Sequence, residues 1–282
     1  MPILAPMPPG SKSMSVQRLF HPRTRVRFAQ FGYEVRQFHL PHDGLVEFAQ
    51  WQHPYDMPKV MTQAAVDAVR QLVSRGDFVI DIGAHSGDTT IPMALAAGPA
   101  GCTLALEPNP YVYKVLVVNA ALNPEKTNIV PRCCAATEHD GNFVFHYSDA
   151  AFCNGGFRTQ QRWPIFRRKH ALTVAGRNLR QMLQSEFTDW LPKLSYIKVD
   201  AEGYDRTILA SILSILRERR PVVRTEVFRK LVTAERYALF DLLARVGYRL
   251  HRFRDGAQPL GAKLDRRDMT GEKHFDVIAI PR

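Results

Sequence analysis

The chain has 282 residues, of which 45% are hydrophobic and 23% charged, a composition typical of a globular protein with a sizeable core. It carries a formal net charge of +11, and it contains no run of 18 apolar residues that could span a membrane. The four cysteines lack metal-ligand spacing and the N-terminus lacks the pattern of a secretory signal, so we expect a cytoplasmic protein with reduced thiols.

The N-terminal region is predicted to form an antiparallel hairpin over residues 33–50. Apolar and polar residues partly alternate up to Leu40, the sequence Pro-His-Asp-Gly supplies a turn, and an apolar stretch returns. A helix should follow, with Pro58 near its start and Gly76 at its end. We therefore interpret 1–57 as an N-terminal extension and 58–282 as the main domain.

The next element is a short apolar strand over 78–82, which ends in a glycine-bearing turn and leads into a helix over 89–97. Gly83 allows the tight turn, and Gly87 is expected to remove a side chain that would hold a ligand away from the helix N-terminus. The spacing lacks the middle glycine of dinucleotide-binding turns. Asp81, near the strand end, suits a ligand with positive charge, such as the amino group and sulfonium of S-adenosylmethionine.

The following strand, 103–106, ends in Glu107, twenty residues beyond Gly87. A carboxylate at this point accepts hydrogen bonds from ribose hydroxyls. Further along, apolar patterns predict helices at 111–122, 179–187, 204–219 and 234–246, and strands at 128–136, 143–147, 194–200, 221–226, 248–253 and 274–280. Strands that alternate with helices predict an α/β fold with a mostly parallel sheet covered on both faces. The last two strands should pair as an antiparallel C-terminal hairpin.

Residues 148–170 have no regular pattern and are predicted to form a lid over the ligand. This segment contains a cluster of basic residues interleaved with aromatic ones: Phe157, Arg158, Arg162, Trp163, Phe166, Arg167, Arg168 and Lys169. The arginines favour a substrate bearing phosphate or carboxylate, and the rings are suited to stack on a sugar or a base. The alternative is a lid packed on the core with its charges in water. A second basic group lies in the first 40 residues: Lys12, Arg18, Arg23, Arg25, Arg27 and Arg36.

Two motifs carry a resemblance to a known family. Residues 79–87 read Val-Ile-Asp-Ile-Gly-Ala-His-Ser-Gly, and residues 197–203 read Ile-Lys-Val-Asp-Ala-Glu-Gly. In this order they resemble the FkbM family of class I S-adenosylmethionine-dependent methyltransferases. The resemblance implies a Rossmann-like sheet of seven strands with a reversed final strand, S-adenosylmethionine as cofactor and S-adenosylhomocysteine as product. The family usually has asparagine where His85 stands, and 157–170 looks like an expansion.

The cofactor site is predicted at the carboxyl ends of the strands, where ligands of open α/β sheets bind. Asp81 and Glu107 are assigned to the cofactor, although Asp81 has the alternative role of capping the next helix. Further cofactor contacts are expected from the position of residues next to these two carboxylates and from the layout that the resemblance implies. They are Gly83, Ala84, His85, Gly87, Asp88, Thr89, Pro108, Asn109 and Ala135.

The catalytic residues are predicted to be Asp200, Glu202 and Glu226. Asp200 is expected nearest the methyl group, as general base or substrate anchor. Glu202 either shares that role or ties down its own loop. Glu226 either binds substrate directly or, with Asp200, holds a divalent cation. Two carboxylates are few ligands for a metal, so no metal is expected.

The hypothesis from the sequence is an O-methyltransferase that acts on a hydroxyl of a small molecule, a sugar or a natural-product intermediate, with an anionic acceptor if the lid arginines face it. The basic charge favours an alternative acceptor, RNA or another nucleic acid. Residues 200–203 do not match the Asn/Asp-Pro-Pro-aromatic pattern of many RNA base methyltransferases. A nicotinamide-dependent reductase lacks support from the glycine spacing, and a degenerate binding module lacks support because the carboxylates are intact. The oligomeric state is left open, with a homo-oligomer among the alternatives.

Overall fold

The computed structural model describes residues 30–153, 155–157, 170–254, 256 and 258–282. In chain order its elements are β1 Tyr33–Leu40, β2 Gly44–Trp51, α1 Gln63–Arg70, β3 Phe78–Ile82, α2 Thr90–Ala97, β4 Cys102–Leu106, α3 Pro110–Ala121, β5 Ile129–Arg132, β6 Ala135–Thr137, β7 Gly141–Tyr147, β8 Gly155–Phe157, β9 His170–Asn178, α4 Leu179–Glu186, β10 Leu194–Val199, α5 Asp205–Ser211, α6 Leu213–Arg219, β11 Val222–Val227, α7 Thr233–Arg245, β12 Tyr248–Phe253, β13 Leu260–Lys263 and β14 Phe275–Pro281. No helix among the described residues is long and apolar enough to cross a bilayer.

The main sheet of the described residues has eight strands in the order β13-β12-β14-β11-β10-β3-β4-β5. The run from β11 to β5 is parallel, and β14 is antiparallel to both β11 and β12. The predicted α/β fold with a mostly parallel sheet is therefore confirmed, as is the N-terminal hairpin β1–β2. The expected C-terminal hairpin is more elaborate, because β14 inserts between β11 and β12 and β13 adds an eighth strand at the edge.

The central strands β3 and β4 are buried along their whole length, which explains their nearly continuous apolar sequence. One face of the sheet packs against apolar residues of α4 to α7, in the largest core cluster. The other face packs against α1, α2 and α3. Helices on both faces leave the carboxyl ends of the parallel strands as the place where a ligand can approach the sheet.

A second sheet, β6-β9-β7-β8, corrects the expected course of residues 128–178. The predicted strand 128–136 is two strands, with β5 at the edge of the main sheet and β6 in the second sheet. Pro131 suits an edge strand because it lacks the N–H that a further strand would need. The strand β9 was not predicted, and β8 shows that part of the expected irregular lid pairs with β7.

Two predicted helices have different bounds in the structure. The helix expected between Pro58 and Gly76 covers only Gln63–Arg70, and it begins where the Thr62 hydroxyl accepts a hydrogen bond from Ala65 N at 3.2 Å. The helix expected over 204–219 is broken at Ile212 into α5 and α6.

The hairpin is joined by two asparagine side chains to α3 and to the residues that follow it. Asn119 accepts from Ala49 N at 2.6 Å and donates to Ala49 O at 3.0 Å. Asn123 makes the same pair of bonds with Glu47 N at 3.0 Å and Glu47 O at 2.9 Å. The two asparagines are four residues apart in the chain, and the backbones of Glu47 and Ala49 face the same side of β2. The two amides therefore make the hydrogen bonds that a neighbouring strand would make. The division of the chain at residue 57 stays a prediction.

Candidate active site

Four carboxylates stand at the carboxyl ends of four adjacent parallel strands. Glu226 belongs to β11, Asp200 follows β10, Asp81 belongs to β3 and Glu107 follows β4. We call this line the carboxyl rim. Two loops leave it: the first loop, residues 83–89, and the second loop, residues 200–204.

A buried lysine, which sequence reasoning missed, connects the two loops. Lys198 Nζ lies 3.2 Å from Asp81 Oδ1, 3.5 Å from Asp200 Oδ2 and 3.2 Å from the Gly83 carbonyl oxygen. Burial alone would lower the pKa of Lys198, but the two carboxylates raise it above its ordinary value. The lysine is therefore charged and neutralises part of the rim. Its signal in the sequence is one lysine inside an otherwise largely apolar strand.

Asp81 is fully buried, and its carboxylate is engaged by the protein itself. Oδ2 accepts hydrogen bonds from Thr89 Oγ1 at 2.8 Å and Thr90 Oγ1 at 2.7 Å, while Oδ1 faces Lys198. In this geometry Asp81 fixes the start of α2 through two hydroxyls, which is close to its alternative structural role, and it presents no exposed oxygen to a ligand.

Glu107 is oriented by two backbone donors, one from the first loop and one from the segment before α3. Its Oε2 accepts from His85 N at 2.9 Å and its Oε1 accepts from Asn109 N at 2.8 Å. Burial raises the pKa of Glu107 to about 7, although the two backbone donors act in the opposite direction. Each carboxylate oxygen has a second lone pair, so a ribose diol could donate to this group without displacing its present partners. Glu107 thus fits the cofactor role assigned to it.

The two glycines of the first loop have different structural roles. A Cβ on Gly83, at φ +79°, would lie 2.1 Å from the Asp200 carbonyl oxygen, so the two loops touch at their backbones and only glycine fits. A Cβ on Gly87, at φ +101°, would lie 3.1 Å from Leu116 Cδ1. Gly87 therefore packs against α3, and the expectation that its missing side chain also makes room for a ligand stays a prediction.

A second residue that sequence reasoning missed, Asp205, shapes the second loop. Its Oδ2 accepts from Ala201 N and Gly203 N, each at 3.3 Å, and its Oδ1 accepts from Thr225 Oγ1 at 3.1 Å and Glu226 N at 3.2 Å. Burial and then the charge of Asp200 raise the pKa of Asp205 to about 7. The only signal in the sequence is an acid in the first turn of a helix.

The three predicted catalytic residues differ in exposure. The Asp200 side chain is 47% exposed and Glu202, at φ +54°, is also exposed, whereas Glu226 is only 8% exposed. Glu226 Oε1 lies 3.4 Å from His274 Nδ1, and no described residue hydrogen-bonds to Oε2. Burial, and then Asp200, raise the pKa of Glu226 to about 9, so it is neutral at pH 7. No group of three or more His, Cys, Asp or Glu residues in the described part of the chain is arranged to hold a metal.

The other predicted cofactor contacts are held by the protein in several ways. The Asn109 side chain caps α3 by accepting from Tyr111 N at 3.0 Å and donates to Phe152 O at 2.6 Å, so only its backbone N–H reaches Glu107. Asp88 pairs with Lys59 at 3.2 Å. Pro108 is partly exposed, while Ala84 and Ala135 are buried in apolar clusters.

The predicted lid is described in part, over residues 148–153 and 155–157. Asp149 Oδ1 lies 3.3 Å from the buried His53 Nε2, which ties this segment to the N-terminal region. A Cβ on Gly156 would lie 3.0 Å from Glu202 Cβ, so β8 runs against the second loop. Most of the basic and aromatic cluster, from Arg158 to Lys169, lies outside the described residues, as do the basic residues before position 30.

Comparison with known proteins shows the family to which the chain belongs. The model of the FkbM methyltransferase domain matches residues 81–250, which is more than half of the sequence. The chain belongs to the FkbM methyltransferase family. The matched segment begins at Asp81 and includes the whole carboxyl rim. No curated protein matches it.

Three solved structures that are similar to this chain have 11–13% sequence identity to it. An FkbM methyltransferase from Methylobacillus flagellatus KT has 12% identity and a TM-score of 0.43, with 72% of this chain and 43% of that one covered. This chain thus spans less than half the length of that protein. An S-adenosylmethionine-dependent O-methyltransferase from Thermotoga maritima has 11% identity and a TM-score of 0.44, with coverages of 87% and 85%. An O-methyltransferase from Bacillus cereus in complex with S-adenosylhomocysteine has 13% identity, a TM-score of 0.42 and coverages of 81% and 84%.

Proposed function

We propose that this FkbM methyltransferase methylates a hydroxyl of a small molecule, a sugar or a natural-product intermediate. The observation that carries the proposal is that a fixed carboxylate, Glu107, and an exposed carboxylate, Asp200, lie on opposite sides of Gly83. Glu107 is held by two backbone donors, and Asp200 is about half exposed on the neighbouring side of the turn. The first suits a ribose and the second suits the proton of an acceptor hydroxyl.

Bound S-adenosylmethionine supplies an electrophilic methyl group on a sulfonium. Glu107 would accept from the ribose hydroxyls, the first loop would line the methionine end, and Pro108, Asn109 and Ala135 would flank the ribose and adenine. The backbone contact between Gly83 and Asp200 brings the second loop against this site. Alignment of donor and acceptor is the main requirement, because the leaving thioether is neutral and no acid is needed to expel it.

Asp200 would take the proton from the acceptor hydroxyl. Its side chain is 47% exposed and lies 3.5 Å from Lys198 Nζ, so it is held at the rim within reach of an acceptor hydroxyl. Glu226 is neutral at pH 7 and can therefore donate a hydrogen bond to an acceptor oxygen, while Glu202 borders the same space from the second loop. Direct hydrogen bonding by these groups, with no metal, is the mechanism we favour.

The acceptor class is tested by transfer of a labelled methyl group. Purified protein is incubated with S-adenosylmethionine labelled in the methyl group and, separately, with pools of sugars and sugar nucleotides and with total RNA. We expect label in the small-molecule fraction that resists mild base, as an ether does. Label in RNA would instead support the nucleic-acid alternative that the net charge of +11 favours.

A further inference from the structure

Several buried polar atoms in and next to the first loop have no hydrogen-bond partner among the described residues. They are both ring nitrogens of His85, Nε1 of Trp51 and Oγ of Ser86. The rings of Trp51 and His85 lie 5.7 Å apart, so three of these atoms share one neighbourhood. Buried polar groups are nearly always paired, so a cluster of unpaired ones indicates a ligand or ordered water. Burial lowers the pKa of His85, and the neutral imidazole offers one donor and one acceptor.

An ion pair lies next to these atoms. Lys59 Nζ is 3.2 Å from Asp88 Oδ2 and 3.4 Å from Asp56 Oδ1. Asp88 belongs to the first loop and directly precedes Thr89, the residue before α2 begins. The Lys59 and Asp88 side chains are 22% and 29% exposed, so both charges can be reached from solvent. A cation and an anion side by side at a helix N-terminus complement the ammonium and carboxylate of an amino acid.

The segment that carries Lys59 is held firmly against the first loop. Gln50 accepts from Lys59 N at 2.6 Å and donates to Asp56 Oδ2 at 2.8 Å. Asn119, which binds Ala49 of the hairpin, also donates to the Ser86 carbonyl at 2.7 Å. Hydrogen bonds therefore join the hairpin and the first loop around His85, whose φ of +51° is unusual for a residue other than glycine.

We infer that Lys59, His85 and Asp88 together bind the zwitterionic amino-acid end of the cofactor. Lys59 pairs with its carboxylate, Asp88 pairs with its ammonium group, and the His85 ring hydrogen-bonds to one of the two. Lys59 precedes the matched segment 81–250, so a residue outside that segment completes the cofactor site. This inference rests on the proposed cofactor site.

The test is calorimetric titration with two ligands that differ only at the end in question. S-adenosylhomocysteine has the amino-acid end, and 5′-methylthioadenosine keeps the adenine and ribose but lacks it. For Lys59→Met we expect about tenfold weaker binding of S-adenosylhomocysteine and unchanged binding of methylthioadenosine. Lys59→Arg, which keeps the charge, should restore most of the affinity.

The matched control is Lys126→Met. Lys126 donates to the Asp43 and Leu45 carbonyls of the same hairpin, away from the first loop, so both affinities should match the wild type. Equal loss of both ligands in Lys59→Met would show that Lys59 only supports the fold, and unchanged S-adenosylhomocysteine binding would also overturn the inference. If the wild-type protein binds neither ligand, the proposed cofactor site itself fails.

Discussion

Buried or partly buried carboxylates lie at both the first and the second loop, but their electrostatic surroundings differ. At the first loop, Asp81 faces Lys198 and Asp88 faces Lys59. Burial would raise the pKa of Asp88, but Lys59 lowers it below its ordinary value. At the second loop, Asp205 and Glu226 are buried near Asp200, and their pKa values are raised to about 7 and about 9. Fixed charge suits the recognition of a charged cofactor, and carboxyl groups that titrate near neutrality suit proton transfer.

The largest effect is expected at the lysine that serves both loops. Lys198→Met leaves Asp81 buried without its cation, so the free energy of unfolding should fall by about 3–5 kcal/mol. Denaturation in urea measures this. The double variant Lys198→Met/Asp81→Asn removes the stranded charge and should regain part of the loss. A single variant within 1 kcal/mol of the wild type would mean that no charge compensation operates at the first loop.

The backbone contact between the loops is tested by two glycine substitutions with similar φ. Gly83→Ala places a methyl group against the Asp200 carbonyl, whereas Gly76→Ala, at φ +92°, meets nothing within 4 Å. We expect Gly83→Ala to cost about 2–4 kcal/mol and Gly76→Ala about 1 kcal/mol in thermal or urea unfolding. Equal losses would show that only the backbone conformation matters and that the loops do not touch.

The second loop gives a prediction of pH dependence. Because burial raises the folded pKa of Glu226 to about 9 from its ordinary value of 4.5, its contribution to stability is complete below pH 4.5 and is lost as the pH rises to 9. Glu226→Gln should therefore be more stable than the wild type at pH 8–9, by about 1–3 kcal/mol, with the difference shrinking toward pH 5. Urea unfolding at several pH values tests this, and a constant difference would exclude the raised pKa.

The smallest effect is expected at the two asparagines that bind the hairpin. Comparing them separates the support of the first loop from the attachment of the hairpin. Asn119 and Asn123 bind β2 in the same way, but only Asn119 also binds Ser86 of the first loop. Replacing either with alanine should cost about 1–2 kcal/mol of stability. Only Asn119→Ala should weaken S-adenosylhomocysteine binding, by a few-fold in calorimetry. Equal affinities for the two variants would contradict a separate link to the first loop.

The alternation of strands and helices predicted the main sheet well, because buried parallel strands have an unambiguous apolar pattern. Strand β9 and the insertion of β14 could not be predicted, since pairing with distant strands leaves little local signal. The site residues that were not predicted were missed for the same reason, since their roles depend on distant parts of the chain. The roles of Lys198 and Asp205 depend on which strands and loops become neighbours, and the packing of Gly87 on Leu116 depends on the placement of α3. Motifs identified the loops, but only the fold shows which carboxylates are already engaged.

The most direct test of the cofactor site is the affinity of S-adenosylhomocysteine for Glu107→Gln and wild-type protein across pH 6–8. Ribose hydroxyls donate to the ionised carboxylate, and burial raises the pKa of Glu107 to about 7, so wild-type affinity should increase with pH over this range. Glu107→Gln turns an amide N–H toward one of the two backbone donors, so it should bind at least about tenfold more weakly, with little pH dependence. Wild-type affinity in the variant, with the same pH profile, would contradict the assignment of Glu107 to the methyl donor.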